Sequence, residues 1–143
     1  MSVFIDTSSL VKLYAAEDGA AEVERMVEAL APAYVAWLAL PEFYSALWRK
    51  VRAGVIDDAE RAVFEKEFRK DWGDALSVVP FDDGMPERAV AILQRVGREK
   101  RLKTLDALQL ASGQTCHGAR FLTADQDLAA CAALIGLPVA VGS

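Results

Sequence analysis

The residues best suited to chemistry in this chain are four carboxylates that lie far apart in the sequence: Asp6, Glu42, Asp106 and Asp125. Each stands where a helix is predicted to begin, and all but Asp106 follow a short segment predicted to be strand or loop. Because strand ends that lead into helices converge on one edge of a parallel sheet, we expect these acids to share a crevice. Crowded carboxylates repel one another and stay ionised together only around a cation. Oxygen ligands favour Mg²⁺ or Mn²⁺, so the pattern indicates a metal-dependent enzyme.

Local structure offers a second explanation for most of these acids. Asp6 opens the segment Asp-Thr-Ser-Ser, any member of which could cap a helix. Glu42 falls in a predicted first helical turn, where an acid complements the macrodipole. Asp106 is harder to explain in this way, because its neighbours are almost wholly apolar and a buried carboxylate needs a partner. Asp127 is a nearby acid that could replace Asp125 or merely cap the following helix.

A bound metal ion would polarise a water molecule for attack on a phosphodiester. A carboxylate that the metal does not fully engage could then take the proton from that water. Glu42 and Asp125 are the candidates for this role.

Length and composition predict one folded domain. The chain has 143 residues, of which 53% are hydrophobic and 26% charged, as in ordinary soluble proteins. It lacks the roughly 20 consecutive apolar residues of a membrane span, and its first residues do not resemble a secretory signal. We therefore expect a cytoplasmic protein.

The cysteines and the histidine do not predict a zinc site. Cys116 and Cys131 form no C-x-x-C pair, and His117 has no partner at the spacing of metal ligands. Both cysteines are expected to be small, partly buried core residues.

The net charge of −5 argues against a general nucleic-acid coat protein, but the basic residues are clustered. One cluster precedes Asp106 and supplies the candidate RNA contacts Arg98, Lys100, Arg101 and Lys103. Cations beside a carboxylate site could hold the phosphates that flank a cleaved bond. A second cluster, which comprises residues 49, 50 and 52, follows Glu42. Phosphate binding and the helix macrodipole explain the second cluster equally well.

Alternating hydrophobic segments predict an α/β fold. Strands are predicted at residues 2–5, 34–37, 76–81, 120–123 and 139–141. Helices are predicted between them: at 10–14, at 20–30, from Pro41 to Gly54, after a capping box at Asp57 and Glu60, at 85–96, after a cap at Thr104, and at 128–135. This order favours a single domain, residues 1–143, with a central, mostly parallel five-stranded sheet and helices on both faces.

Four separated motifs resemble PIN-domain ribonucleases in order and spacing, and most closely the VapC-type toxins of type II toxin–antitoxin pairs. The motifs are residues 6–14, 41–47, 105–111 and 122–125. The resemblance extends over nearly the whole chain, from Val3 to Val141. One departure is Gln109, where many relatives carry histidine; this position is not among the metal ligands of the family.

The resemblance implies a Mg²⁺- or Mn²⁺-dependent endoribonuclease. The acidic site would be Asp6, Glu42, Asp106 and Asp125, with supporting hydroxyl groups on Ser8 and Thr123. Asp125 is preferred to Asp127 as the fourth acid because the Thr-x-Asp pattern falls there. The resemblance also implies a homodimer, a cognate antitoxin that covers the acidic groove, and a structured RNA target such as a tRNA or a ribosomal RNA loop.

Other functions fit the sequence less well. A catalytically inactive PIN-like module that only binds RNA or a protein is the main alternative, although loss of catalysis would usually leave gaps among the acids. A haloacid-dehalogenase-type phosphatase should carry a second aspartate where Ser8 stands. A phospho-receiver should carry an acidic pair at its first strand end. A dinucleotide-binding domain should contain G-x-G-x-x-G, which this chain lacks.

Overall fold

The structure, a computed structural model, describes residues 2–15 and 17–141. A parallel sheet of five strands in the order β3-β2-β1-β4-β5 passes through its centre. The strands are β1 (Val3–Ile5), β2 (Ala33–Ala36), β3 (Leu76–Val79), β4 (Arg120–Thr123) and β5 (Val139–Val141). The described part of the chain also contains seven helices: α1 (Thr7–Lys12), α2 (Ala20–Ala29), α3 (Ala39–Arg52), α4 (Asp58–Asp71), α5 (Met85–Val96), α6 (Thr104–Gly113) and α7 (Gln126–Leu134).

The sheet separates two hydrophobic cores. Side chains alternate between the faces of a strand, so neighbouring residues of β1 enter different cores. Ile5 belongs to the core under α1, α3 and α4, where the rings of Phe43 and Phe68 stack at 3.9 Å. Phe4 belongs to the core under α5, α6 and α7, where its ring stacks on Phe121 at 5.5 Å. Helices therefore cover both faces, and the predicted fold class is confirmed.

The register of the central strands places Asp6, which follows β1, beside Thr123, which ends β4. Ile5 pairs with Leu122 across β1 and β4, and the backbone N–H of Asp6 donates to the carbonyl oxygen of Leu122 at 2.9 Å. The next residue of β4, Thr123, therefore ends its strand beside Asp6. Parallel pairing brings together two segments that are more than a hundred residues apart in the sequence.

Several element ends differ from the predictions. α1 begins at Thr7, so the residues predicted to precede this helix form its first turn. β3 ends at Val79, two residues before its predicted end, because its neighbour β2 turns towards α3 after Ala36. The predicted cap at Thr104 is wrong, because Thr104 is already helical and Lys103 occupies the N-cap position. The predicted capping box is confirmed: Asp57 accepts from the Glu60 N–H at 2.7 Å, and the Asp57 N–H donates to the Glu60 carboxylate at 3.0 Å.

None of the helices in the described residues has the length and apolar character that crossing a membrane requires. Both cysteines carry free thiols; Cys131 is buried and Cys116 is partly buried.

Candidate active site

One cavity of about 540 Å³ is lined by all four carboxylates: Asp6, Glu42, Asp106 and Asp125. Asp6 leaves the end of β1, Glu42 lies in the first turn of α3, Asp106 lies in the first turn of α6, and Asp125 immediately precedes α7. The structure thus brings these four acids to one crevice at the carboxyl edge of the sheet.

Asp6 is buried and is held by two hydroxyl groups. Its Oδ2 atom accepts hydrogen bonds from Ser8 Oγ at 2.7 Å and from Thr123 Oγ1 at 2.5 Å. Its side chain makes no capping bond to α1, although its backbone is extended as an N-cap requires. The carboxylate of Asp6 is therefore positioned for the cavity and not for the helix.

The charge state of Asp6 is perturbed. Burial raises its pKa from 3.8 to about 6, the two hydroxyl donors oppose this rise, and the charges of Glu42 and Asp106 add to it. A carboxylate with this pKa is ionised at neutral pH at a cost in free energy, which a nearby cation would offset.

Glu42 is held by a hydrogen-bond network that the sequence did not reveal. Its Oε1 atom accepts from Thr7 Oγ1 at 2.8 Å and from Gln109 Nε2 at 2.6 Å. Gln109 Nε2 also donates to Thr7 Oγ1 at 3.0 Å, so the three side chains form a closed triangle. Gln109 is 1% exposed. Gln109 could have been identified from the sequence, because a polar side chain between Leu108 and Leu110 needs a buried hydrogen-bond partner.

Asp106 and Asp125 form the more open side of the cavity. Burial raises the pKa of Asp106, the charge of Asp125 adds to the rise, and Lys103 opposes it. Asp125 caps α7: its Oδ1 atom accepts from the backbone N–H groups of Asp127 at 2.9 Å and Leu128 at 3.2 Å. Asp127 does not line the cavity, so Asp125 is the acid of this pair that lies at the site.

The donor set fits a hydrated Mg²⁺ or Mn²⁺ better than a tightly caged ion. All four acidic groups offer oxygen ligands, and they line a cavity wide enough for water molecules. Within residues 2–15 and 17–141, no group of three or more His, Cys, Asp or Glu side chains is placed to hold an ion directly. Mg²⁺ usually keeps several waters and binds only one or two carboxylates, so hydrated binding agrees with both observations.

The basic residues divide between the cavity and the outer surface. Arg49, on α3, lines the acidic cavity. The candidate RNA contacts lie between α5 and α6 and do not line it: Arg98, Lys100, Arg101 and Lys103. Arg49 belongs to the cluster for which sequence reasoning left both explanations open.

The comparisons with known proteins agree with this fold. A family model described as PIN domain matches residues 3–134. A comparison with curated proteins found no significant match.

Solved structures of similar fold come from several bacteria. The FitAcB structure from Neisseria gonorrhoeae is 14% identical, with a TM-score of 0.74 over 98% of this chain and 97% of that chain. The sarcin-ricin loop cleaving toxin VapC20 from Mycobacterium tuberculosis is 19% identical, with a TM-score of 0.74 over 99% and 100%. A toxin–antitoxin complex from Klebsiella pneumoniae contains a chain that is 24% identical, with a TM-score of 0.64 over 99% and 98%. At these identities the likeness shows a shared fold.

Proposed function

Because the chain belongs to the PIN domain family, we propose that it is a Mg²⁺- or Mn²⁺-dependent endoribonuclease of the VapC toxin type. The observation that carries the proposal is the single cavity lined by Asp6, Glu42, Asp106 and Asp125. These acids come from four separate elements, and no requirement of folding would gather them. An uncompensated group of this kind destabilises a metal-free protein, which argues for a role in binding a cation.

The four acids would hold the metal together with its water shell, and the metal when bound supplies a polarised water and neutralises charge on the phosphate. Ser8 and Thr123 orient the Asp6 carboxylate through its Oδ2 atom. Thr7 and Gln109 orient Glu42 through its Oε1 atom.

Two carboxylate oxygens are suited to accept the proton of the attacking water. Both side-chain bonds to Glu42 within the described residues fall on Oε1, so Oε2 can accept a proton. The capping bonds to Asp125 fall on Oδ1, which leaves its Oδ2 atom for the same task.

The proposed partners are an RNA substrate, a cognate antitoxin and a second copy of the chain. The similar chain from Klebsiella pneumoniae belongs to a toxin–antitoxin complex, and the similar protein from Mycobacterium tuberculosis cleaves the sarcin-ricin loop. These likenesses support an antitoxin partner and an RNA substrate. We further propose that the antitoxin covers the acidic cavity, that the substrate is a tRNA or a ribosomal RNA, and that the activity is cytoplasmic. Arg98, Lys100, Arg101 and Lys103 are proposed as outer contacts to that RNA.

The test is cleavage of cellular RNA by the purified, antitoxin-free protein and by its Asp106→Asn variant. We expect discrete new RNA ends with the wild-type protein in Mg²⁺ or Mn²⁺ and none in EDTA. The variant should remain folded by circular dichroism and should produce no ends. In cells, the wild-type protein should arrest growth, and co-expression of the neighbouring gene product should relieve the arrest.

A wild-type protein that binds neither divalent metal by calorimetry and cleaves no RNA would defeat the proposal. RNA binding that persists in EDTA without cleavage would instead identify a catalytically inactive binding module.

A further inference from the structure

A second cavity, of about 400 Å³, adjoins the acidic cavity and is lined by basic residues. Both cavities share part of their lining: Ser8, Val11, Ala46, Arg49 and Asp125. The second cavity adds Lys12 and Lys50, together with Glu17. A polynucleotide segment that lies in the acidic cavity can therefore continue into the basic cavity without leaving the protein surface.

The basic cavity follows from how α1 and α3 are patterned. Each helix starts at the acidic cavity and ends in basic residues. On α1, Lys12 lies four residues after Ser8 and thus on the same face, one turn further on. On α3, Arg49 lies seven residues after Glu42, which places it about 10 Å further along the helix axis.

The charges in this region are unequal. Glu17 forms ion pairs with both lysines: with Lys12 Nζ at 3.7 Å and with Lys50 Nζ at closer range. Three cations, including Arg49, therefore face two acids, Glu17 and Asp125, in the lining of the second cavity. The Lys12 and Lys50 side chains are only 16% and 20% exposed, and each is ion-paired with Glu17.

Arg49 is the cation that remains available to a ligand. It is exposed, and it forms no salt bridge within the described part of the chain. It also lines both cavities. A planar guanidinium offers paired donors that match the oxygens of a phosphate group.

We propose that Arg49, with Lys12 and Lys50, forms a subsite for the phosphate groups of a single-stranded polynucleotide segment, next to the acidic cavity. The proposal rests on the proposed function and specifies the path of its substrate. The stretch from Arg98 to Lys103 lines neither cavity. Arg49 therefore contacts the phosphate closest to the reacting bond, and that stretch would contact more distant parts of the RNA.

The test measures binding of a fluorescent single-stranded oligoribonucleotide as a function of salt concentration, by anisotropy in Mg²⁺. The Asp106→Asn background prevents cleavage during the measurement. Arg49→Gln in that background should reduce the slope of log affinity against log salt by about 0.7, the value for one phosphate contact to a single strand. For variants that bind equally at 1 M salt, this difference in slope makes the affinity of the Arg49→Gln variant roughly five-fold weaker at 0.1 M salt.

Arg52→Gln is the matched control, because Arg52 is an exposed arginine at the end of the same helix and lines neither cavity. It should leave the slope unchanged. A second readout is calorimetric binding of Mn²⁺ to the otherwise wild-type protein. Loss of a cation beside the acids should leave Mn²⁺ affinity unchanged or increase it, opposite to the effect on RNA.

Equal slopes for Arg49→Gln and Arg52→Gln would overturn the proposal. Parallel losses of RNA and Mn²⁺ affinity in Arg49→Gln would also overturn it, because they would indicate damage to the site as a whole. An Arg49-dependent slope in a wild-type protein that cleaves no RNA would support the subsite and defeat only the nuclease function.

Discussion

The two sides of the acidic cavity are built differently. On the α1–α3 side, Asp6 and Glu42 each accept two hydrogen bonds from side chains, all from neutral hydroxyl or amide donors. On the α6–α7 side, Asp106 accepts none from a side chain within the described residues. Asp125 on that side is held, in the part of the chain that the structure describes, by backbone N–H groups alone. Asp6 is 6% exposed, whereas Asp125 lies at the surface.

This difference separates a rigid half of the site from an adaptable half. Neutral donors fix a carboxylate without cancelling its charge, so Asp6 and Glu42 are positioned before any cation arrives. Asp106 and Asp125 can adjust to the ion and to its water shell. Substitutions of the carboxylates themselves, and then of the groups behind them, test this division.

The largest expected effect is that of Asp6→Asn on RNA cleavage. The change keeps the shape of the side chain and removes a charge from the rigid half. Groups behind metal ligands already contribute about 10- to 100-fold, so loss of a ligand should exceed 100-fold. Initial cleavage rates at saturating Mg²⁺ measure it.

Asp127→Asn is the control for this prediction. Asp127 offers Asp125 only its backbone N–H, which the substitution keeps. Its rate should stay within about three-fold of the wild-type rate, as for other surface changes. Equal losses in the two variants would mean that Asp127 belongs to the site and that the assignment of Asp125 is incomplete.

The next effect concerns the stability of the metal-free protein. Since the pKa of Asp6 is raised from 3.8 to about 6 in the folded state, the folded protein binds this proton more tightly than the unfolded chain. The stabilisation that protonated Asp6 contributes to the folded state is fully present below pH 4 and is lost as the pH rises through 6. The pKa shift of roughly two units, at about 1.4 kcal/mol per unit, limits this stabilisation to at most about 3 kcal/mol.

In EDTA at pH 7.5, Asp6→Asn should therefore be more stable than the wild-type protein towards urea, and the difference should vanish near pH 4. Added Mn²⁺ should stabilise the wild-type protein and reverse the order. A wild-type protein that is the more stable of the two at pH 7.5 without metal would show that Asp6 is not strained in the rigid half.

The parts of the fold that local pattern determines were predictable. Apolar segments with β-branched residues placed β4 and β5 at their observed bounds, and the capping box at Asp57 was found from its spacing. Errors arose where a nonlocal partner decides the end of an element. β3 ends at Val79 because its neighbour β2 turns towards α3 after Ala36; the Trp37 N–H still donates to the Val79 carbonyl oxygen at 2.9 Å.

The sequence indicated the acids of the site, and the family resemblance indicated the hydroxyl groups of Ser8 and Thr123, but neither indicated the supports of Glu42. Residue type and position before a helix indicated Asp6, whereas its hydroxyl partner Thr123 is distant in sequence and depends on strand register. Thr7 looked like one capping residue among several, and Gln109 looked like a departure without consequence. The packing of α1, α3 and α6 decides which donor reaches each carboxylate oxygen. Local sequence patterns do not determine that packing.

Gln109→Leu tests the support of Glu42. Leucine has a similar volume but cannot donate to Glu42 Oε1, which would retain only the bond from Thr7. Mn²⁺ affinity should fall by about 10- to 100-fold, as for other groups that orient a metal ligand. Calorimetric titration measures the affinity.

Stability should change little in this variant, because the Gln109 Oε1 atom is buried without a hydrogen-bond partner in the described part of the chain. Gln94→Leu, an exposed change on α5, is the control and should leave Mn²⁺ affinity unaltered. Unaltered affinity in Gln109→Leu would mean that Thr7 alone positions Glu42 and that the rigid half depends on fewer contacts.

The smallest effect concerns Thr123, the side chain that joins the two halves. Its hydroxyl donates to Asp6 and accepts from the backbone N–H of Asp125 at 3.1 Å, whereas the Ser8 hydroxyl donates to Asp6 alone among the acids. Thr123→Val should reduce the cleavage rate about ten-fold, the loss expected for one hydrogen bond to a charged group. Ser8→Ala should reduce the cleavage rate less.

Because the Thr123 bond lowers the pKa of Asp6, the acid limb of the pH–rate profile should also move to higher pH in Thr123→Val. An equal or larger effect of Ser8→Ala would show that the halves act independently, and that the link through Thr123 only completes the cap of α7.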